Sequence, residues 1–235
     1  MDAINTAKIV LAIITIIIAF FCTYFQLKKN KTFLLNKIFA FFMILVSLGF
    51  ISYITYHFIY DNVSLVIALN ILTNVFYNFA FACLAITPFI IIYSEKNIIV
   101  QRISIVIYGL CILTLLGYFI WPVTVDMEKY AQGSVSSSSP LPHMLILTLY
   151  KLIIIIFVLY EYIKVAKHTE GAIEQKMKCF SWAMISIIIG TVIITISSAF
   201  GTSADYLKVV GGIFLNLAII LFTIALVPRS EELKK

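Results

Sequence analysis

Seven long apolar runs divide this chain, separated by short polar gaps near residues 30, 61, 97, 133, 172 and 203. The runs lie near 7–27, 34–59, 64–93, 103–123, 143–166, 179–200 and 205–228. A helix needs about 20 predominantly apolar residues to cross a bilayer, so each run predicts one membrane span. Several exceed that minimum, which predicts tilt or protrusion. Pro88 interrupts the third run and predicts a kink there. The runs are contiguous and no linker divides them, so residues 1–235 are expected to form a single all-α domain, a seven-transmembrane-helix bundle.

Composition agrees. Hydrophobic residues make up 62% of the chain and charged ones 12%, with mean hydropathy +1.06. A soluble domain carries about 25% charged residues. The formal charge of +6 does not indicate nucleic acid, because the basic residues are sorted by gap and form no continuous face. Lys28, Lys29, Lys31, Lys37, Lys96, Arg102, Lys164, Lys167, Lys176, Lys178, Arg229, Lys234 and Lys235 fall in or beside alternate gaps and the carboxyl-terminal tail. Only Lys8, Lys129 and Lys208 fall on the other side. Basic residues stay cytoplasmic, so the amino terminus is expected outside and the carboxyl terminus in the cytoplasm of a multi-pass cell-membrane protein. The first run is expected to remain as a helix, since its basic cluster follows it, the reverse of a signal peptide.

The longest outer gap, Thr124 to Pro142, contains Gly133 and a run of serines, and reads as a flexible flap. The other outer gaps are turns. A ligand must therefore enter the bundle, sit at its rim or arrive through the lipid. Cys22, Cys83, Cys111 and Cys179 lie in apolar runs or at their ends, with neither disulfide nor metal spacing. They read as packing residues.

Polar residues within the spans are the best pointers to function, because hydrocarbon offers them no hydrogen-bond partner. Asn70, Asn74 and Asn78 recur every four residues and stack on one face of the third span. They serve either as glue between helices or as the lining of a ligand site. Lys151 lies eight residues beyond His143, about 12 Å along the fifth span. It either snorkels to the outer surface or faces inward, paired with a ligand or with Asp205. Asn216 and the Gly211–Gly212 pair in the last span suggest close helix approach. Asn70, Asn74, Asn78, Lys151, Asn216 and Asp205 are thus the candidate ligand-binding residues. Lys164, Lys167, Lys176 and Lys178, interspersed with Glu170 and Glu174, are candidates for docking a cytoplasmic partner. His57, at the outer end of the second span, could sense pH near neutrality, though a single rim histidine is weak support for that role.

No HExxH, GxSxG or Gly-rich phosphate loop occurs. No enzyme activity, cofactor or metal is expected. A mid-membrane lysine in the last span, as a retinal Schiff base would need, is missing too. A faint repeat relates Lys37, Phe39, Met43, Ile44 and Gly49 to Lys178, Phe180, Met184, Ile185 and Gly190, and Ala85 and Pro88 to Ala225 and Pro228. Three helices, a linker helix and three helices would follow, a plan found in some transporters.

The sequence Ala85-Ile86-Thr87-Pro88-Phe89 with Tyr93 and a basic turn to Arg102, the segment Lys167-His168-Thr169-Glu170 through Gln175-Lys176 before a helix with Gly190, and the ending Val227-Pro228-Arg229 carry a likeness. In them the chain resembles the seven-helix amino-terminal region of prokaryotic sensor histidine kinases. The resemblance implies a module that senses a stimulus and passes on a conformational change. No phosphoacceptor or ATP-binding segment follows within these 235 residues, so a stand-alone sensor acting on a separate cytoplasmic signalling protein is expected. A small-solute transporter of two three-helix repeats and a structural membrane subunit are the alternatives, and a homo-oligomer is left open. Richness in Ile, Lys, Asn and Phe suits a prokaryotic, AT-rich genome.

Overall fold

The computed structural model describes residues 3–29, 34–59, 61–93, 97–131, 135, 137–200 and 205–226. Lys31, Lys96, Gly133, Val227, Pro228, Arg229, Lys234 and Lys235 lie outside the described residues. Eight helices form among those described: α1 (Ala3–Lys29), α2 (Leu34–Tyr56), α3 (Val63–Tyr93), α4 (Ile98–Ile120), the short α5 (Met127–Ala131), α6 (Leu141–Lys167), α7 (Ala172–Phe200) and α8 (Asp205–Leu226). Two short strands, β1 (Thr124–Val125) and β2 (Ser137–Ser138), flank α5. All helices except α5 are long and apolar enough to cross a membrane, as expected of a multi-pass membrane protein.

Among the boundaries that differ from the hydropathy reading, three are set by local hydrogen bonding rather than apolarity. The fourth span starts at Ile98 rather than 103, because the Asn97 side chain accepts a hydrogen bond from Ile99 N at 2.9 Å and caps the helix. The sixth starts at Ala172 rather than 179. There a polar turn held by the Glu174–Lys178 pair at 2.6 Å prolongs it, after Gly171 reverses the chain at φ +66. The second ends at Tyr56 rather than 59, where i to i+3 bonds from His57, Phe58 and Ile59 tighten the turn.

Successive spans run in opposite directions. Six of them close a ring in the order α1, α2, α3, α6, α7, α8 and back to α1, while α4 packs on the outside of α3 and α6. The two ends differ: one carries the hairpin of β1 and β2, the other Lys28, Lys37, Arg102, Lys164, Lys167, Lys176 and Lys178. In the basic half the ring is filled. Phe39 of α2 stacks on Phe180 of α7 at 5.3 Å across the ring, Tyr162 of α6 stacks on Phe180 at 5.1 Å, and Phe42 meets Phe222 of α8 at 5.6 Å. Met43 and Met184 fill the space beside them.

Pro88 lies inside α3, where it cannot donate to the carbonyl four residues back. That carbonyl belongs to Leu84, and Thr87 Oγ1 donates to it at 2.7 Å. The Thr87 oxygen lies 2.6 Å from the Tyr162 hydroxyl. A hydroxyl has one proton, so Tyr162 donates to Thr87 while Thr87 donates to Leu84. The proline position in α3 is thereby tied to the aromatic layer. Helices α7 and α8 come close at Gly190 and Gly211: a Cβ on Gly211 would stand 2.9 Å from the Gly190 carbonyl oxygen and 2.6 Å from Ile194 Cγ1.

Replacing Thr87 with Val strands both the Leu84 carbonyl and the Tyr162 hydroxyl. It should cost about 1–3 kcal/mol of unfolding free energy, read from reversible unfolding in bicelles. Gly211→Leu should lower the melting temperature sharply through overpacking. Gly109→Leu, at a position with open space around it, should leave it unchanged or slightly raised, since leucine is the better helix former.

Candidate functional site

The expected flexible flap is folded over its described residues. Thr124 pairs with Ser138 and Val125 with Ser137 in an antiparallel hairpin. Two valines anchor it: Val135 is buried with Tyr56 and Val66, and Val123 with Tyr118 and Leu147. The apolar anchors were visible in the sequence, but the serines around them masked their role. The hairpin is a lid over α2, α3 and the start of α6.

The asparagine row divides. Asn70 Nδ2 donates to Ser137 Oγ at 2.8 Å, so the first asparagine holds the lid. Asn74 Nδ2 donates to the Asn70 carbonyl at 3.1 Å and lies 3.4 Å from its Oδ1. The chain of bonds stops there. Asn78 is fully buried, and neither atom of its amide has a partner. An unpaired buried amide costs about 1–3 kcal/mol.

Lys151 faces inward. Its ammonium lies 6.0 Å from the centroid of the Phe81 ring on α3. Phe81 is eighteen residues into α3, about 27 Å along it at 1.5 Å per residue, too deep for the lysine to reach the hairpin surface. The sequence distance from His143 understates the depth because α6 begins beneath the lid, and His143 itself is wholly buried. Among the described residues, no carboxylate and no hydrogen bond meets the ammonium. A lysine at a helix centre costs about 3 kcal/mol on insertion scales, and a ring at this distance returns only part of that.

Phe81 and Asn78 are three residues apart, on the same face of α3. That places Asn74, Asn78 and Lys151 along one seam of the hairpin half, with Thr148 of α6 and Thr195 of α7 linked nearby at 3.2 Å. Asn216 does not belong to this group. It sits between α1 and α8, where Thr15 Oγ1 lies 2.7 Å from its Oδ1, and its Nδ2 donates to the Gly212 and Leu11 carbonyls at 3.0 and 3.3 Å. The bonds to Thr15 and Leu11 join α8 to α1, and the one to Gly212 turns back to its own helix, so neither amide atom is left without a partner. The Asp205 side chain, and with it the Lys151–Asp205 pairing, lies outside the described residues. Lys164, Lys167 and Lys178 are exposed around the turn between α6 and α7, with Lys176 half-buried beside them.

Two features escaped the sequence reading. His143 packs against Gly117, where a Cβ would stand 2.6 Å from the imidazole. Its Nε2 is 3.0 Å from the Thr114 carbonyl, and Tyr118 and Trp121 flank the ring at 4.3 and 6.1 Å. Its Nδ1 has no partner. A histidine just after Pro140-Leu-Pro142 was the available signal. Glu161, on α6 in the basic half, likewise keeps a buried oxygen without a partner. Outside the ring, Ile107, Leu110, Ile146, Leu149 and Ile153 line an open apolar groove of about 340 Å³ between α4 and α6.

Asn216→Leu and Thr15→Val should each destabilise the bundle, by about 0.6–2 kcal/mol. The double substitution should cost less than their sum, the coupling expected of a shared bond. Comparison with protein-family models and with curated proteins finds no match for this chain.

Proposed function

We propose that this chain is a non-enzymatic, receptor-like protein of the cell membrane that relays a small or lipophilic signal to a separate cytoplasmic partner. The observation that carries the proposal is the asymmetry of the ring. Most of the buried polar groups without a partner, those of Asn78, Tyr118, Tyr130 and His143 among them, lie in the hairpin half, while stacked aromatic rings fill the basic half, where Glu161 is the exception among the described residues. A signal has polar groups to meet on one side; a solute has no polar path out on the other. The tie from Pro88 and Thr87 to Tyr162 and on to Phe180 supplies a packed connection toward the basic end. A signal acts only by binding one arrangement of these helices more tightly than another.

The amino terminus outside and the carboxyl terminus in the cytoplasm are part of this reading, supported by the sorting of basic residues. The exposed Lys164, Lys167 and Lys178, with Lys176 beside them, then form the docking surface for the partner. The likeness to the sensory region of histidine kinases supports the same role. The parallel three-helix repeat is a further part of the proposal. Its support is that α1, α2, α3 and α6, α7, α8 follow one another around the ring in the same order. Phe39 also stacks on its counterpart Phe180, and Met43 and Met184 are both fully buried.

Native mass spectrometry after gentle extraction should show a soluble protein retained at fixed stoichiometry, and reversing the charges of Lys164 and Lys167 should weaken its retention. A bundle with no partner that supports solute flux in liposomes would instead establish the transporter. The orientation is read separately. In a cysteine-free background, Met127→Cys should react with a membrane-impermeant maleimide in intact cells and Ile173→Cys only after lysis.

A further inference from the structure

Asn78 and Lys151 are polar groups in the middle of the bundle that no helix interaction explains. Asn216 and Thr87 are the contrast: each is bonded to a neighbouring helix. Asn78 keeps a donor and an acceptor unpaired at zero exposure. Lys151 keeps its ammonium over the Phe81 ring, one turn along the same face of α3, and its side chain retains some accessible surface. An ammonium offers donors only, an amide both a donor and an acceptor. A halide would satisfy the lysine and the amide nitrogen but leave Asn78 Oδ1 bare. A carboxylate with a donor beside it satisfies all three.

We infer that Lys151 and Asn78 form a binding site for a small organic anion bearing a hydrogen-bond donor on the carbon next to its carboxylate, a 2-hydroxy- or 2-amino-carboxylate. The carboxylate meets the Lys151 ammonium and Asn78 Nδ2, the neighbouring hydroxyl or ammonium donates to Asn78 Oδ1, and the Phe81 ring receives the carbon skeleton. Asn74, one turn nearer the lid, is bonded through Asn70 to Ser137, so the site's polar wall is continuous with the lid. The aromatic layer below closes the opposite side. The inference rests on the receptor reading only in taking this anion as the signal; binding itself requires no partner.

The test uses the full chain in lipid nanodiscs and reads melting temperature against added sodium chloride, acetate, lactate and alanine. Lactate or alanine should raise the melting temperature saturably, with an apparent Kd about tenfold below that of acetate, and chloride should have no effect. Lys151→Met should abolish the shift, and Asn78→Leu should reduce lactate or alanine to the level of acetate. Both substitutions remove an unpaired buried polar group, so both variants should fold at least as stably as the parent, and a lost shift reports lost binding. Equal shifts from all four probes, meaning an adventitious ion effect, would overturn the inference. So would an undiminished shift in Lys151→Met, or no shift in the parent. None of these outcomes depends on whether a cytoplasmic partner is retained, which tests the receptor reading by itself.

Discussion

Hydrocarbon supplies no hydrogen bonds, so every polar group in a membrane span must be satisfied from within the protein or carry a cost. Most of this structure can be read as answers to that constraint. Thr15 and Asn216 answer it by joining α1 to α8. Gln26 answers it by donating to the Leu226 carbonyl at 3.2 Å, tying the same two helices at the basic end. Thr87 answers it for a carbonyl that Pro88 would otherwise orphan, and it recruits Tyr162 in doing so. Serines and threonines on several helices turn back to their own chain: Ser47 to Met43, Thr195 to Thr191 and Ser198 to Ile194. Against that background Asn78 stands apart, since neither atom of its amide has a partner, and Lys151 lies beside it with only the Phe81 ring near its ammonium.

The same constraint leaves packing to hold the helices together, since lipid tails are as apolar as the helix faces. The ring meets this in two ways. Small residues let α7 and α8 come into backbone contact at Gly190 and Gly211. Large aromatic residues fill the space across the ring, where Phe39, Phe42, Tyr162, Phe180 and Phe222 make offset and tilted contacts. Filling one half with rings and leaving polar groups in the other gives the bundle its two unlike ends. It also gives the lid something to cover. Among the described residues the hairpin is held by Val123 and Val135, with Val125 and Tyr130 packed beside them, and by the Ser137 hydroxyl.

Much of the candidate site was legible as a list of residues and little of it as a place. Asn70, Asn74, Asn78 and Asn216 look alike in sequence, each an amide within an apolar run. The four-residue spacing puts the first three on one face. It did not reveal that Asn70 holds the lid, that Asn74 bonds back to Asn70, that Asn78 is unpaired, or that Asn216 serves a different interface. Partner choice depends on which helices adjoin, and hydropathy carries no information about helix adjacency. His143 was passed over for the same reason: its burial depends on a lid that composition described as flexible.

Seven spans of a multi-pass membrane bundle follow from the sequence by itself, because hydrocarbon thickness sets the length of an apolar run and the backbone must be helical within it. The candidates within the bilayer follow as well, since any polar residue there is an exception. Tertiary structure decided the ring order, the exclusion of α4 to its outside, the inward aim of Lys151 and the division of the asparagines. These depend on contacts between residues tens to hundreds of positions apart, such as Asn70 with Ser137 and Thr15 with Asn216. An apolar surface of nearly uniform composition gives no local signal of which neighbour it will meet.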